Sequence, residues 1–155
     1  MPKKKQTILF KENFLVCVDD SQEFLAALRF ACINAKKNRM GIILLYVIEL
    51  ENFRHWKGVE NIMRKEQEEK AKEIIAKYIE MIDKNYNFKV KSILKKGEIV
   101  DTLISVLKNK RYKITNLVLG LAMENQESNK IIGSLTSSLR KKLTLPITIV
   151  PGNLE

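Results

Sequence analysis

The stretch IILLYVI, residues 42–48, is an unbroken run of apolar residues in which Ile and Val are frequent. Successive side chains of a strand point to opposite faces, so a strand with one wet face alternates apolar with polar residues. A continuous run instead fits a strand covered on both faces, as in a parallel sheet. Parallel neighbours cannot be joined by a tight hairpin. A chain built on such strands must therefore place crossovers, usually helices, between them.

The remaining sequence meets that demand. FLVCV (14–18) is a second short apolar run, bounded by the turn-formers Asp19 and Asp20. Asp20 with Glu23 three residues on forms a capping-box pattern, and Leu25, Leu28, Ala31, Cys32 and Ala35 follow at helical spacing until Gly41 marks the stop. A long second helix is predicted from Val59, Ile62, Met63, Ile74, Ile75, Tyr78 and Ile82, with RKEQEEKAK as its solvated face. FKVKSIL (88–94) reads as a third strand, and Val100, Leu103, Ile104 and Leu107 as a third helix. NLVLG (116–120) is a fourth strand, Leu135, Leu139 and Leu143 mark a fourth helix, and ITIV (147–150) is a last strand. The order βαβαβαβαβ with right-handed crossovers predicts a doubly wound α/β domain: a five-stranded parallel sheet with helices on both faces.

A length of 155 residues and 18.0 kDa fits a single domain over 1–155, long enough to bury about two thirds of its unfolded surface. No apolar run approaches the roughly 18 residues of a membrane span. The opening MPKKKQTILFKENF lacks a secretory apolar core and a small-residue cleavage site, so a cytoplasmic protein is expected. Cys17 and Cys32 form no CxxC and read as small buried hydrophobes. The net charge of +10 is spread over short clusters such as Lys36, Lys37 and Arg39, Lys108 to Lys113, and Arg140 to Lys142, which fall where helices end or turns begin. The helix dipole favours cations there, and no aromatic–basic interleaving or recognition-helix pattern accompanies them. Specific nucleic-acid recognition is not expected.

In a doubly wound sheet, ligands bind beyond the carboxyl ends of the strands, where strand order reverses. VDDS (18–21), VIE (47–49) and GLAM (120–123) fall at such ends. In GLAMENQESNKIIGSL (120–135), Gly120 permits a backbone turn, while Gly133, Ser134, Leu135 and Thr136 open a helix whose free N–H groups suit an anion. The segment is neither a Walker A loop nor a GxGxxG fingerprint. Two glycines that merely end a strand and allow a bend would produce the same spacing.

These residues carry a resemblance. ATP-binding universal stress proteins show Gly, two residues, Gly, nine residues, Gly, then Ser or Thr; this chain has Gly120, two residues, Met123, nine residues, Gly133, Ser134. The opening is similar as well, with Val18 and Asp19 ending the first strand, Ser21 following, and LLYVIE ending the second. The closing LRKKLTLPITIVPG resembles the family's terminal helix, proline and strand, so the likeness spans about residues 11–152. It implies the adenine nucleotide alpha hydrolase-like fold with strand order 3-2-1-4-5, and a cytoplasmic regulatory protein of the stress response that binds ATP or AMP. By the resemblance, Asp19 points toward the adenine or ribose, and Val47 offers backbone contact to the adenine. Gly120, Gly133, Ser134 and Thr136 hold ribose and phosphates, with Val18, Ser21, Met123 and Leu135 in the same nucleotide-binding set. A homodimer through the last strand (146–150) is also implied, and the paired carboxylates of Asp19 and Asp20 would call for Mg2+ shared with a nucleotide triphosphate there.

Met123 is the departure, since the family's second glycine lets the main chain approach ribose and phosphate. A nucleotide-free relative acting through protein contacts is the alternative reading. A nucleotide-activating ligase on the same fold would need a Ser-Gly-Gly-x-Asp-Ser loop after the first strand, and none is present. His55, the sole histidine, lies with Trp56 in the irregular ELENFRHWKG stretch, and Ser134, Thr136, Ser137 and Ser138 have no base near them in sequence. Slow hydrolysis of bound ATP is the most this set of groups offers.

Overall fold

A computed structural model describes residues 11–19, 21–49, 60–122, 132 and 144–154. Five parallel strands, β1 (Asn13–Cys17), β2 (Gly41–Ile48), β3 (Lys91–Lys96), β4 (Ile114–Leu121) and β5 (Ile147–Pro151), lie in the order 3-2-1-4-5. The crossovers are α1 (Gln22–Asn38), α2 (Glu60–Tyr86) and α3 (Ile99–Lys108), and a 3-10 turn, Lys110–Tyr112, leads into β4. The expected fourth helix falls outside the described residues, as do His55 and Trp56.

The apolar strand runs are covered twice. Val16, Ile42, Leu44, Val118 and Val150 pack on one face beneath Phe24, Leu28 and Ala31 of α1 and Tyr78 and Ile82 of α2. Leu15, Ile43, Leu45, Leu117 and Leu119 pack on the other against Leu103, Ile104 and Leu107 of α3. Each such side chain contributes about 1.5–3 kcal/mol on burial, enough to offset the ordering of its own backbone. An edge-on contact of Phe24 with Tyr78, centroids 4.9 Å apart, couples the two helices on the first face.

Boundaries differ from the sequence expectation at several positions, β1 ending at Cys17 and β4 starting at Ile114 among them. The N-cap of α1 is Ser21, not Asp20: its oxygen accepts from the Phe24 N–H at 3.1 Å, and its own N–H is held by Asp19. The helix stops at Arg39, which adopts a left-handed conformation (φ 55°) and returns its N–H to the Ala35 carbonyl; Gly41 is already the first residue of β2. The third strand begins at Lys91 rather than at residue 88, because its register is set by pairing Ile43 with Lys91. Phe88 is instead buried in the connector behind α2, where the left-handed Asn87 (φ 50°) follows the last helical residue, Tyr86.

Cys17 and Cys32 are free thiols, both pushed up to about 12, chiefly by burial and at Cys17 secondarily by the Asp19 charge. Both are therefore protonated at neutral pH, and the thiol form is the weaker nucleophile. No helix among the described residues is long and apolar enough to cross a membrane.

Candidate functional site

Strands β1 and β4 are neighbours at the point where strand order reverses, the place at which a doubly wound sheet characteristically forms a crevice beyond its carboxyl ends. The path of the chain there follows from close packing. An ideal Cβ on Gly120 would sit 2.3 Å from the Glu23 carbonyl oxygen and 2.5 Å from its carbon, so the first turn of α1 rests directly on the end of β4. Gly120 accordingly lies within β4, paired with Val150, rather than in a turn. Gly152, just past β5, is a second close approach: its Cβ would stand 3.2 Å from the Glu23 Cβ, and its N–H donates to the Leu121 carbonyl at 2.9 Å.

With the helix seated, Asp19 is fixed by the cap. The Ser21 N–H donates to Asp19 Oδ1 at 3.0 Å, the Ser21 hydroxyl donates to the same oxygen, and the serine oxygen accepts from Phe24. An exposed carboxylate is thus aimed at the start of α1, where the helix dipole favours negative charge. Val18 is buried beneath it, and its N–H donates to the Leu45 carbonyl at 2.8 Å. Beyond Leu45, β2 continues past the last residue of β1, so Val47 reaches the rim of the same crevice while its side chain packs on the α3 side of the sheet.

Val18, Asp19, Ser21, Val47 and Gly120 are therefore all at the carboxyl end of the central strands. Met123, Gly133, Ser134, Leu135 and Thr136, the expected phosphate end, lie outside the described residues, as does Asp20. Gly152 was missed. Its signal, the Pro151-Gly152 pair after the last strand, says that the chain turns but not that a helix from the first crossover lies against it.

A further cap forms at β3. Gly97, at φ 150°, leads to Glu98, whose carboxylate accepts from the Val100 N–H at 3.1 Å and the Asp101 N–H at 2.7 Å. These bonds hold Glu98 below the usual carboxylate range. Nearby, Lys96 bridges to Glu68 of α2 at 3.0 Å, which lowers Glu68 in the same way. Among the described residues no three of His, Cys, Asp and Glu converge as a metal-ligand group. The chemistry offered is recognition: an oriented carboxylate acceptor, strand-end backbone groups, and a glycine that leaves the main chain bare.

The universal stress protein family model matches residues 11–151. No curated protein sequence matches the chain. Among solved structures, the universal stress protein UspA from Lactobacillus plantarum superposes with a TM-score of 0.72 at 16% identity, covering 91% of this chain and 98% of that one. A universal stress family protein from Burkholderia pseudomallei gives 0.69 at 15% identity over 90% and 95% of the two chains. A universal stress protein solved in complex with cAMP gives 0.51 at 15% identity over 91% and 97%. At these identities the superpositions speak for the fold, and the family model, spanning nearly the whole sheet, carries the assignment: the chain belongs to the universal stress protein family.

Proposed function

We propose that this protein is a cytoplasmic regulatory member of its family that binds an adenine nucleotide, ATP or AMP, at the carboxyl end of the central strands. The observation that carries this reading is the capped carboxylate of Asp19, held by Ser21 at the β1–β4 crevice beside a glycine that admits no side chain. A carboxylate so placed accepts hydrogen bonds from a ribose hydroxyl or the adenine amine. The backbone at Val47 supplies the complementary donor and acceptor for an adenine edge. A relative solved with cAMP adds support for adenine nucleotides as the ligand class. Gly133, Ser134 and Thr136 would meet the phosphates, and Mg2+ would offset the charge of Asp19 there. Mass spectrometry of nucleotide released from the purified, denatured protein tests the proposal: ATP or AMP is expected. No released nucleotide, together with no affinity for ATP, ADP or AMP, would remove it.

Met123 favours a second reading, a nucleotide-free protein acting through protein contacts. On that reading Met123→Gly creates ATP binding in a parent that has none. On the first, the substitution changes affinity by less than tenfold, about 1.4 kcal/mol.

The working unit is a homodimer joined through β5. The other edge strand, β3, carries Lys91, Lys95 and Lys96, all exposed, which discourage pairing. By contrast, β5 exposes Ile149 (42% of its surface) between Pro146 and Pro151 and carries no charge. Light scattering should report twice the 18.0 kDa chain mass, and Ile149→Lys should return the monomer.

A further inference from the structure

Helices in this fold run back against the strands, so their carboxyl ends gather at the amino end of the sheet, opposite the proposed nucleotide site. There α1 ends in Lys36 and Lys37, α2 in Lys84 and α3 in Lys108, followed by Lys110, Arg111 and Lys113. Within the last turns of these helices and the connectors to the next strands, Asp83 is the one acidic residue described, and Glu12 stands just before β1. Each helix end carries roughly half a negative charge, so three ends offset fewer than two of these cations. Lys36 serves that structural purpose, since its Nζ donates to the Tyr86 carbonyl at the end of α2 at 3.0 Å.

The lysines after α3 are different, because they border a concavity. A cavity of about 560 Å³ lies between the end of α3 and the starts of β4 and β5. Lys108, Lys110 and Lys113 line it together with Thr115 and Thr144, over apolar walls that include Leu107 and Leu145, and among the described residues no carboxylate lines it. Its size falls in the range of small-ligand sites.

The backbone that presents these lysines is held in place. Asn109 caps the 3-10 turn by accepting from the Arg111 N–H at 3.1 Å. Lys113 adopts a left-handed conformation (φ 51°), which costs a non-glycine residue about 1–2 kcal/mol. Its N–H closes on the Lys110 carbonyl at 3.2 Å, and its own carbonyl accepts from the Asn13 N–H at 2.9 Å. The Asn13 side chain donates to the Tyr112 carbonyl at 2.8 Å, so the first strand clamps the turn from the other side. A lysine turn locked in a costly conformation around a concavity with no carboxylate among its described lining residues has the features of a preorganised anion site.

We infer that this cavity binds a compact polyanion, a small ligand carrying two or more adjacent phosphoryl groups, at a site separate from the carboxyl end of the sheet. Lys108, Lys110 and Lys113, spaced along one short turn, supply charge to neighbouring phosphoryl groups, and the threonine hydroxyls supply neutral donors.

Titration of the full chain with tripolyphosphate in about 0.1 M salt, followed by amide NMR and calorimetry, tests this. Saturable binding at this cavity is expected, with shifts concentrated at Lys110, Lys113, Thr115 and Leu145 and distinct from any at the carboxyl end of the sheet. The pair Lys110→Gln with Lys113→Gln should weaken binding tenfold or more. Lys36→Gln with Lys37→Gln, on the same end of the sheet but away from the cavity, should change it less than twofold, and Asp19→Ala should leave it unchanged. Equal weakening by the two lysine pairs would overturn the inference, because diffuse charge would then account for binding. So would a double-stranded DNA oligomer that shifts the same amides and binds more tightly than tripolyphosphate at the same salt, since the face would then serve an extended polyanion. Circular dichroism of each variant separates lost binding from lost fold.

Discussion

At the carboxyl end of the sheet the chain approaches itself closely under the first turn of α1, leaving no space for a side chain at Gly120 and little at Gly152. At the amino end contact is made instead through polar bonds, Asn13 to the Tyr112 and Lys113 carbonyls and Lys36 to Tyr86, and exposed cations stand around an open cavity. Shape complementarity therefore positions the helix start and its capped carboxylate at one end, while directional bonds hold a charged turn at the other. Steric contact of backbone on strand tolerates almost no change. A hydrogen-bonded turn loses about one bond's worth of stability when a partner is removed.

That asymmetry predicts a ranked set of effects. Gly120→Ala should be the most damaging, because its Cβ meets backbone atoms of Glu23 that cannot rotate away. A loss of about 3 kcal/mol or more is expected in urea unfolding, read as a lowered midpoint with little change in slope. Gly152→Ala, whose nearest contact is a side-chain carbon at 3.2 Å, should cost clearly less. Equal losses at the two positions would show that α1 is not seated on β4 as described.

Next in size come the two polar anchors, one from each end. Ser21→Ala removes the N-cap and should cost about 1 kcal/mol. It should also weaken nucleotide binding, because Asp19 loses both the hydroxyl bond and a well-formed cap beside it. Asn13→Ala should cost about 1 kcal/mol too, by leaving the Tyr112 carbonyl with one bond fewer. It should weaken tripolyphosphate binding while leaving nucleotide binding alone. Calorimetry with both ligands on both variants completes the comparison, and a variant that weakens both ligands equally would show that the two ends are not independent.

The smallest effect concerns pH. Glu98 is held low in the folded state by two backbone N–H groups, so its stabilising contribution is present above the unfolded glutamate value of about 4.3 and is lost as pH falls through its folded value. Glu98→Gln should therefore lower thermal stability slightly at neutral pH, where that contribution is fully present, leave it unchanged at pH values below the folded Glu98 value, and so flatten the acid decline. The group is exposed, so solvent screening keeps the change small. An unaltered acid limb would assign the decline to other carboxylates.

Much of the architecture was legible locally. Doubly apolar runs such as IILLYVI demand cover on both faces, and helical spacing from Leu25 to Ala35 identifies the crossover that supplies part of it. Alternation of the two then leaves few topologies, and a parallel sheet with the 3-2-1-4-5 order is among them. The acidic and hydroxyl residues after β1 were also visible as a strand-end cluster. Only the tertiary structure decided among Asp19, Asp20 and Ser21. Each suits a helix start by type, and the choice rests on which oxygen reaches the Phe24 N–H once α1 is seated. The start of β3 was likewise decided by its pairing with β2, since neither Phe88 nor Lys91 marks a strand boundary by itself. Gly120 showed the same limit more sharply. Its sequence neighbours suggest a turn, yet the reason for glycine is the carbonyl of Glu23, nearly a hundred residues earlier in the chain. Propensity and periodicity act over a few residues and so can be read along the sequence. A close approach between distant segments, or the placing of the basic turn after α3 against the starts of β4 and β5, exists only after the sheet has aligned them.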